Sequence, residues 1–347
     1  MKILVTGATG FIGSHVVQQL QRAGHDLVLC HREGKSSWKL FDSVAHIYSA
    51  SPNGQSHSVH DEGMLRLKGS LKEYAERLIP YSFSDSKLYL SEGFEKVSVD
   101  LIDYDEVLES VSSSDFDAVV HCAAIISFHP KDREKMLRDN VEGTRNLVNA
   151  CLKKGVKNFL HVSSIAALGR PVEEGPITLD TPWEEDSPYN TDYALSKYYA
   201  ELEVWRGKEE GLNVKVFYPG VVLGQGDGHT SSKQVIDVVK NGNPFYPVGS
   251  NGFVFVEDLA KKIADELPFT SSDEKERFLC VSHNLTFEKL ITSVSDAYGY
   301  KPAKWPLKGT IYGLVYGVAR FCEWFRIRIP ITTELMKSTS KASVYKD

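Results

Sequence analysis

The 347-residue chain is short of cysteine, of repeats and of charge of one sign, and each shortage removes a class of protein. Its five cysteines (Cys30, Cys122, Cys151, Cys280 and Cys322) are odd in number, widely spaced and form no C-x-x-C pair. That argues against a disulfide framework or a zinc site and fits a reducing, cytoplasmic compartment. His15, His25, His31 and the histidines of 57–60 show no ligand spacing, so no metal is expected. Forty Lys and Arg against 46 Asp and Glu give a net charge of −6 spread along the chain. This balance argues against nucleic acid or an anionic membrane as the main partner. No stretch of 18 apolar residues exists, so no membrane span is expected. The opening "MKILVTGATGFIG" is too short in its apolar run, and too glycine-rich, for a signal peptide. What is present is a composition close to the globular average, long enough for about two domains or one large domain with an appended lobe.

Short, β-branched apolar runs at 2–6, 26–30, 96–101, 116–124, 157–164 and 214–220 read as strands buried on both faces. Helix-like segments at 11–23, 104–112, 131–154 and 191–210 separate them. This alternation predicts an α/β fold with a doubly wound parallel sheet. Residues 1–225 form the expected sheet domain, carrying an insertion at about 36–95. Within that insertion Met64, Leu67, Leu71, Tyr74 and Leu78 recur at helical spacing. Residues 226–347, rich in Gly/Pro turns, read as a smaller C-terminal substrate lobe that returns to the core near 250–260.

The segment "VTGATGFIG" sets Gly7, Gly10 and Gly13 between a strand and a helix. Glycines there let a backbone approach a pyrophosphate, and the helix N-terminus adds amide donors and a positive dipole. Farther on, Tyr193 and Lys197 stand four residues apart on a helical stretch and so share a face. A nearby ammonium stabilises a phenolate, which suits the pair to proton transfer. Tyr300 and Lys304 have the same spacing, but Gly299 and Pro302 break any helix there.

The T-G-x-x-G-x-x-G start, "VDLID" (99–103), "HCAA" (121–124), "NVEGTRN" (140–146), "VSSIAALG" (162–169) and "YALSK" (193–197) occur in an order that resembles the extended short-chain dehydrogenase/reductase family, the NAD-dependent epimerases and dehydratases. The resemblance covers about 1–35 and 95–260 and implies a Rossmann-type fold, an NAD(P) cofactor and a homodimer formed through helices 131–154 and 191–210. It implies that Gly7, Thr9, Gly10, Phe11, Ile12 and Gly13 hold the pyrophosphate, and that Asp100 and Leu101 meet the adenine. Cys122, Ala123 and Ala124 would pass under the cofactor, with Tyr193, Lys197, Pro219, Gly220 and Val222 near the nicotinamide. Ser164, Tyr193, Lys197 and Asn140 would form the catalytic set, Asn140 carrying a water that relays protons to the lysine. Ser163 is expected to be structural, and His121 to be structural or a main-chain contact to the cofactor.

Dehydratases of this family place an Asp-Glu pair after the serine; here Ile165, Ala166 and Ala167 stand in that position. The stretch "FYPGVVLGQG" (217–226) is closer to dihydroflavonol reductases, cinnamoyl-CoA-type reductases and 3β-hydroxysteroid dehydrogenases than to sugar-nucleotide epimerases. The expectation is therefore hydride transfer between nicotinamide and a small carbonyl or alcohol substrate, apolar or aromatic. A nucleotide-sugar epimerase and a non-catalytic cofactor-binding regulator are the alternatives. The position where NAD-preferring relatives carry an acid falls at His31, followed by Arg32, with Lys35 and Ser36 close behind. A guanidinium suits a 2′-phosphate, so NADP(H) is favoured, with NAD(H) as the other possibility. The tail 310–330 combines Gly309, Gly313 and Gly317 with an apolar stripe and later cations. It reads as a helix packed on the substrate lobe, or alternatively as an interfacial helix or lid.

Overall fold

The computed structural model describes residues 1–32, 94–224, 231–270, 275–325, 327, 329 and 331–347, with 231–234 as backbone only. The insertion helix expected around 64–78, and Lys35 and Ser36, lie outside the described residues. Along the chain come β1 (Lys2–Thr6), α1 (Phe11–Arg22), β2 (Asp26–His31), β3 (Glu95–Ser98), α2 (Tyr104–Ser112), β4 (Ala118–His121), α3 (Arg133–Lys154) and β5 (Asn158–Val162). There follow β6 (Pro176–Ile177), α4 (Asp192–Glu209), β7 (Asn213–Pro219), β8 (Val221–Leu223), α5 (Ser231–Lys240), β9 (Phe245–Pro247), β10 (Ser250–Phe255) and α6 (Val256–Asp265). The chain continues through β11 (Arg277–Cys280), β12 (His283–Thr286), α7 (Phe287–Tyr298), β13 (Trp305–Leu307), α8 (Gly309–Trp324), α9 (Thr333–Ser340) and β14 (Val344–Tyr345).

Seven strands form the central sheet in the order β11-β7-β5-β4-β1-β2-β3, and every pairing in it is parallel. Parallel pairing demands crossovers, and the helices that supply them cover both faces. On one face Val16, Val17 and Leu20 of α1 and Leu259 and Ile263 of α6 bury against the strands. On the other, Val107, Leu147 and Val204 from α2, α3 and α4 pack on Phe159 and Tyr218. Local chemistry fixes the helix starts. Asp103 accepts the amides of Asp105 and Glu106 at 2.9 and 3.2 Å, and Thr191 accepts that of Ala194 at 3.1 Å.

A second sheet, β12-β10-β8, forms the lobe with α5 and α7 around Phe253, Phe255 and Leu290. The last residues return to the body of the molecule: Ser250 donates its hydroxyl to the Ser343 carbonyl at 2.8 Å, and Tyr345 is buried.

Two strand readings change. The third strand ends at Ser98 rather than Leu101, because the Asp103 amide bonds the Asp100 carbonyl at 2.9 Å in the turn that leads into α2. β11, which gives no clear pattern in the sequence, adds to the sheet beside β7. Tyr300 and Lys304 do not share a helix, since α7 ends at Tyr298 and Gly299 caps it in a left-handed conformation.

Candidate active site

Strand order reverses between β1 and β4, and in such sheets the crevice beyond the carboxyl ends at that point is where ligands bind. Sterics fix the turn after β1. Gly7 takes φ +67°, and a Cβ there would stand 2.5 Å from the Ala123 nitrogen; one on Gly13 would stand 2.1 Å from the Gly7 carbonyl oxygen. Only glycine permits this backbone-on-backbone packing. Gly10 caps α1 without a side-chain bond to its first amides, so the amide end and positive dipole of the helix are presented beside the crevice. These residues fit a dinucleotide pyrophosphate. Thr9 is half-buried and Gly10 exposed, while Phe11, Ile12 and Cys122 pack against the core beneath. The Cys122 amide bonds the Thr6 carbonyl at 3.1 Å, which brings Ala123 under Gly7 and leaves Ala124 exposed.

At the far end of the crevice His31 closes β2 opposite Ser98. The guanidinium of Arg32 contacts the carboxylates of Asp100 and Asp139, each at 3.3 Å. Arg32 thus pairs with acids distant along the chain while its side chain stays 37% exposed. Asp139, almost completely buried, is also bonded by Lys135 and by Arg138, the latter at 2.9 Å. These cations hold its carboxyl below the ordinary range in spite of burial, which opposes them. Leu101 packs against Gly143 and lends its carbonyl to the Asn146 amide at 2.9 Å.

Between β5 and α4 the other predicted residues meet. Ser164 follows β5 and its hydroxyl accepts the Ala166 amide at 3.1 Å. Burial raises the Tyr193 pKa, and the neighbouring Ser164 hydroxyl offsets that only partly, so the phenol holds its proton. Lys197 is buried and donates to the Val162 carbonyl at 2.8 Å. Its pKa is lowered to about 8 by burial, opposed by the attraction of Glu201. Asn140 serves as a clamp: its oxygen accepts the Ile125 amide at 2.7 Å, and its nitrogen donates to the Ile125 carbonyl at 2.9 Å and to Ser196 at 3.0 Å. The side chain expected to carry a relay water thereby ties the loop after β4 to α3 and α4.

The His121 side chain is held within the fold. Its ring lies between the hydroxyls of Thr6 at 2.7 Å and Thr144 at 3.0 Å, and burial lowers its pKa to about 3. Pro219 ends β7, the Gly220 amide bonds the Cys280 carbonyl at 3.0 Å, and Val222 of β8 is buried opposite Val254 of β10. Val222 therefore packs into the core.

Two residues escaped the sequence reading. Phe128, in the loop after β4, sets its ring edge-on to Tyr193 with centroids 6.0 Å apart. Glu201, one helical turn beyond Lys197, accepts from Ser163 at 2.7 Å, from Trp205 at 2.9 Å and from the Tyr218 hydroxyl at 2.5 Å. Four-residue spacing after Lys197 is a signal that could have found Glu201; Phe128 offers none.

Sheet order, switch-point crevice and glycine cradle define a dinucleotide-binding enzyme of Rossmann type. The model of the NAD dependent epimerase/dehydratase family matches residues 3–264, and the chain belongs to this family, among the extended short-chain dehydrogenases/reductases. Cinnamoyl-CoA reductase 1 of Petunia hybrida is 29% identical over 190 residues, 52% of this chain and 55% of the relative. The match thus spans about half the length of that reductase. Among solved structures, gox2253 superposes with a TM-score of 0.70 at 27% identity, covering 99% of this chain and 89% of the other. The Thermus thermophilus UDP-glucose 4-epimerase complex with NAD superposes at 0.62 with 19% identity, covering 98% and 97%, which shows likeness of fold alone.

Proposed function

We propose that the chain is an NADPH-dependent reductase of an apolar or aromatic carbonyl compound. The observation that carries this reading is the meeting of Ser164, Tyr193 and Lys197 beside the glycine cradle. The residues after the serine, Ile165 to Ala167, carry no acid or base for eliminating water. Bound nicotinamide supplies the hydride. Ser164 holds the substrate oxygen, and Tyr193, kept protonated by burial, donates its proton to that oxygen as charge develops. The Lys197 ammonium, fixed on the Val162 carbonyl, stabilises the phenolate left behind. Asn140 keeps the loop after β4 in register with both helices.

The preference for NADPH rests on Arg32. With Lys135 and Arg138 it forms a cluster of cations around Asp139, and its guanidinium, on a side chain 37% exposed, is the group that would meet a 2′-phosphate. The reductase name of the petunia relative favours an apolar acyl or carbonyl substrate. A second copy would join through α3 and α4, where Tyr199 and Leu202 are exposed. The test follows NADPH absorbance over panels of aldehydes, ketones, steroids, flavonoids and sugar nucleotides. Oxidation with an apolar carbonyl supports the reading. Turnover of a sugar nucleotide with no net use of coenzyme assigns an epimerase instead.

A further inference from the structure

Helix α8 spans 16 residues and buries one of them fully, Ala319. On its outer side Ile311, Leu314, Val318, Phe321 and Phe325 recur at three- and four-residue spacing, and all are exposed. Leu314 is 70% exposed, Phe321 62% and neighbouring Trp324 81%. A surface helix normally turns this stripe inward; α8 turns it outward. Its first eleven residues carry no charge at all. Added methyl groups at Gly313 and Gly317 would meet nothing within 4 Å, so this side lies open among the described residues.

The charge around this face points to its partner. Residues 299–332 hold Lys301, Lys304, Lys308, Arg320, Arg326 and Arg328 against one acid, a net charge of +5 in a chain of −6. That acid, Glu323, is turned aside: it accepts the Thr333 amide at 2.7 Å and the Thr333 hydroxyl at 2.8 Å, tying α8 to α9. Lys301, Lys304, Lys308 and Arg320 are exposed. A second copy of the chain would set this positive surface against itself, whereas an anionic lipid surface complements it. At a rise of about 1.5 Å per residue the helix is roughly 24 Å long, and no helix among the described residues is long and apolar enough to cross a membrane. An apolar face with tryptophan and phenylalanine, bordered by cations, is the composition of a helix that lies in the headgroup region.

We propose that α8 docks the enzyme on anionic phospholipid, its Leu314–Phe321–Trp324 side entering the interface and Lys304, Lys308 and Arg320 meeting headgroups. The overall acidity of the chain argues against a membrane as main partner, but it is a sum over the whole surface. Within a Debye length of about 8 Å at physiological salt, a docking face is governed by its own charges.

The experiment is co-sedimentation of the full chain with vesicles of phosphatidylcholine alone and of phosphatidylcholine with phosphatidylglycerol, at low and physiological salt. Binding to the anionic vesicles at least tenfold stronger than to the neutral ones, weakened by salt, is the expected result. The triple variant Leu314→Gln/Phe321→Gln/Trp324→Gln and the charge reversal Lys304→Glu/Lys308→Glu/Arg320→Glu should each reduce it at least tenfold. Both alter exposed side chains, and an unchanged far-ultraviolet circular dichroism spectrum verifies their fold. Failure of the wild type to bind anionic vesicles, or equal binding by the folded variants, overturns the proposal. So does a wild-type dimer that ignores vesicles and dissociates in the triple variant, which would assign the face to a second copy.

Discussion

Glu201 accepts the hydroxyl of Ser163 at 2.7 Å from a position one helical turn beyond Lys197, so one buried carboxylate joins the serine strand to the Tyr–Lys helix. Its negative charge also opposes the burial that lowers Lys197 to a pKa of about 8. In Glu201→Gln that attraction disappears while hydrogen-bonding capacity remains. The Lys197 ammonium then loses its proton at lower pH. The alkaline decline of kcat/KM for carbonyl reduction, expected near pH 8 in the wild type, should move down by on the order of one unit. A variant with reduced activity but an unmoved pH profile would limit Glu201 to a structural role.

Replacing Tyr193 by phenylalanine removes the proton donor and keeps the ring that packs against Phe128. Turnover should fall by about 10²–10⁴-fold with coenzyme affinity nearly unchanged. Single-turnover kinetics together with a coenzyme titration measure both quantities. Wild-type turnover in a chemistry-limited assay would remove Tyr193 from the mechanism.

Arg32→Ala removes the cation that pairs with both Asp100 and Asp139. Asp139 keeps Lys135 and Arg138, so the fold should tolerate the change. NADPH binding should weaken by roughly 1.5–3 kcal/mol while NADH binding changes little. Equal weakening of both coenzymes in calorimetric titrations, or a wild-type preference for NADH, contradicts the assignment of Arg32.

His161 lies buried beside His121, ring centroids 5.2 Å apart, with neither of its own ring nitrogens hydrogen-bonded among the described residues. Burial first, then the charge of Lys197, holds His121 and His161 below the ordinary value of 6.5. Both rings stay neutral in the folded chain while the unfolded chain takes up protons. Stability is therefore full above pH 6.5 and falls as the pH drops, a loss that for His121 continues to about pH 3. Each histidine adds at most about 1.4 kcal/mol per pH unit in that window. His161→Phe, of similar shape and with no unbonded nitrogen, should flatten the acid limb by one such increment. Urea midpoints between pH 7.5 and 5.5 decide; an unaltered slope counts against this account.

Much of the fold and the centre of the site were legible because their causes are local. The glycines after β1 are dictated by a turn that a Cβ at Gly7 or Gly13 would block. The parallel sheet announces itself through apolar strands alternating with helices, and Tyr193 and Lys197 share a face because a helix repeats about every 3.6 residues. Other features were not legible because their partners are distant in sequence. The sequence offers Arg32 as a phosphate contact but says nothing of its pairing with Asp139, 107 residues later. Nor does it show that the Asn140 side chain bonds Ile125 and Ser196.

By itself, then, the sequence determined the pyrophosphate cradle, the doubly wound sheet and the spacing of the catalytic pair, since sterics within a turn and periodicity along a helix act between near neighbours. Tertiary structure alone decided the joining of Ser163 to Glu201 and the addition of β11 to the sheet. It also decided which side of α8 is exposed among the described residues. Such relations arise where separately formed elements pack: a buried carboxylate must find donors wherever the fold supplies them, and an apolar stripe is covered only if another surface reaches it.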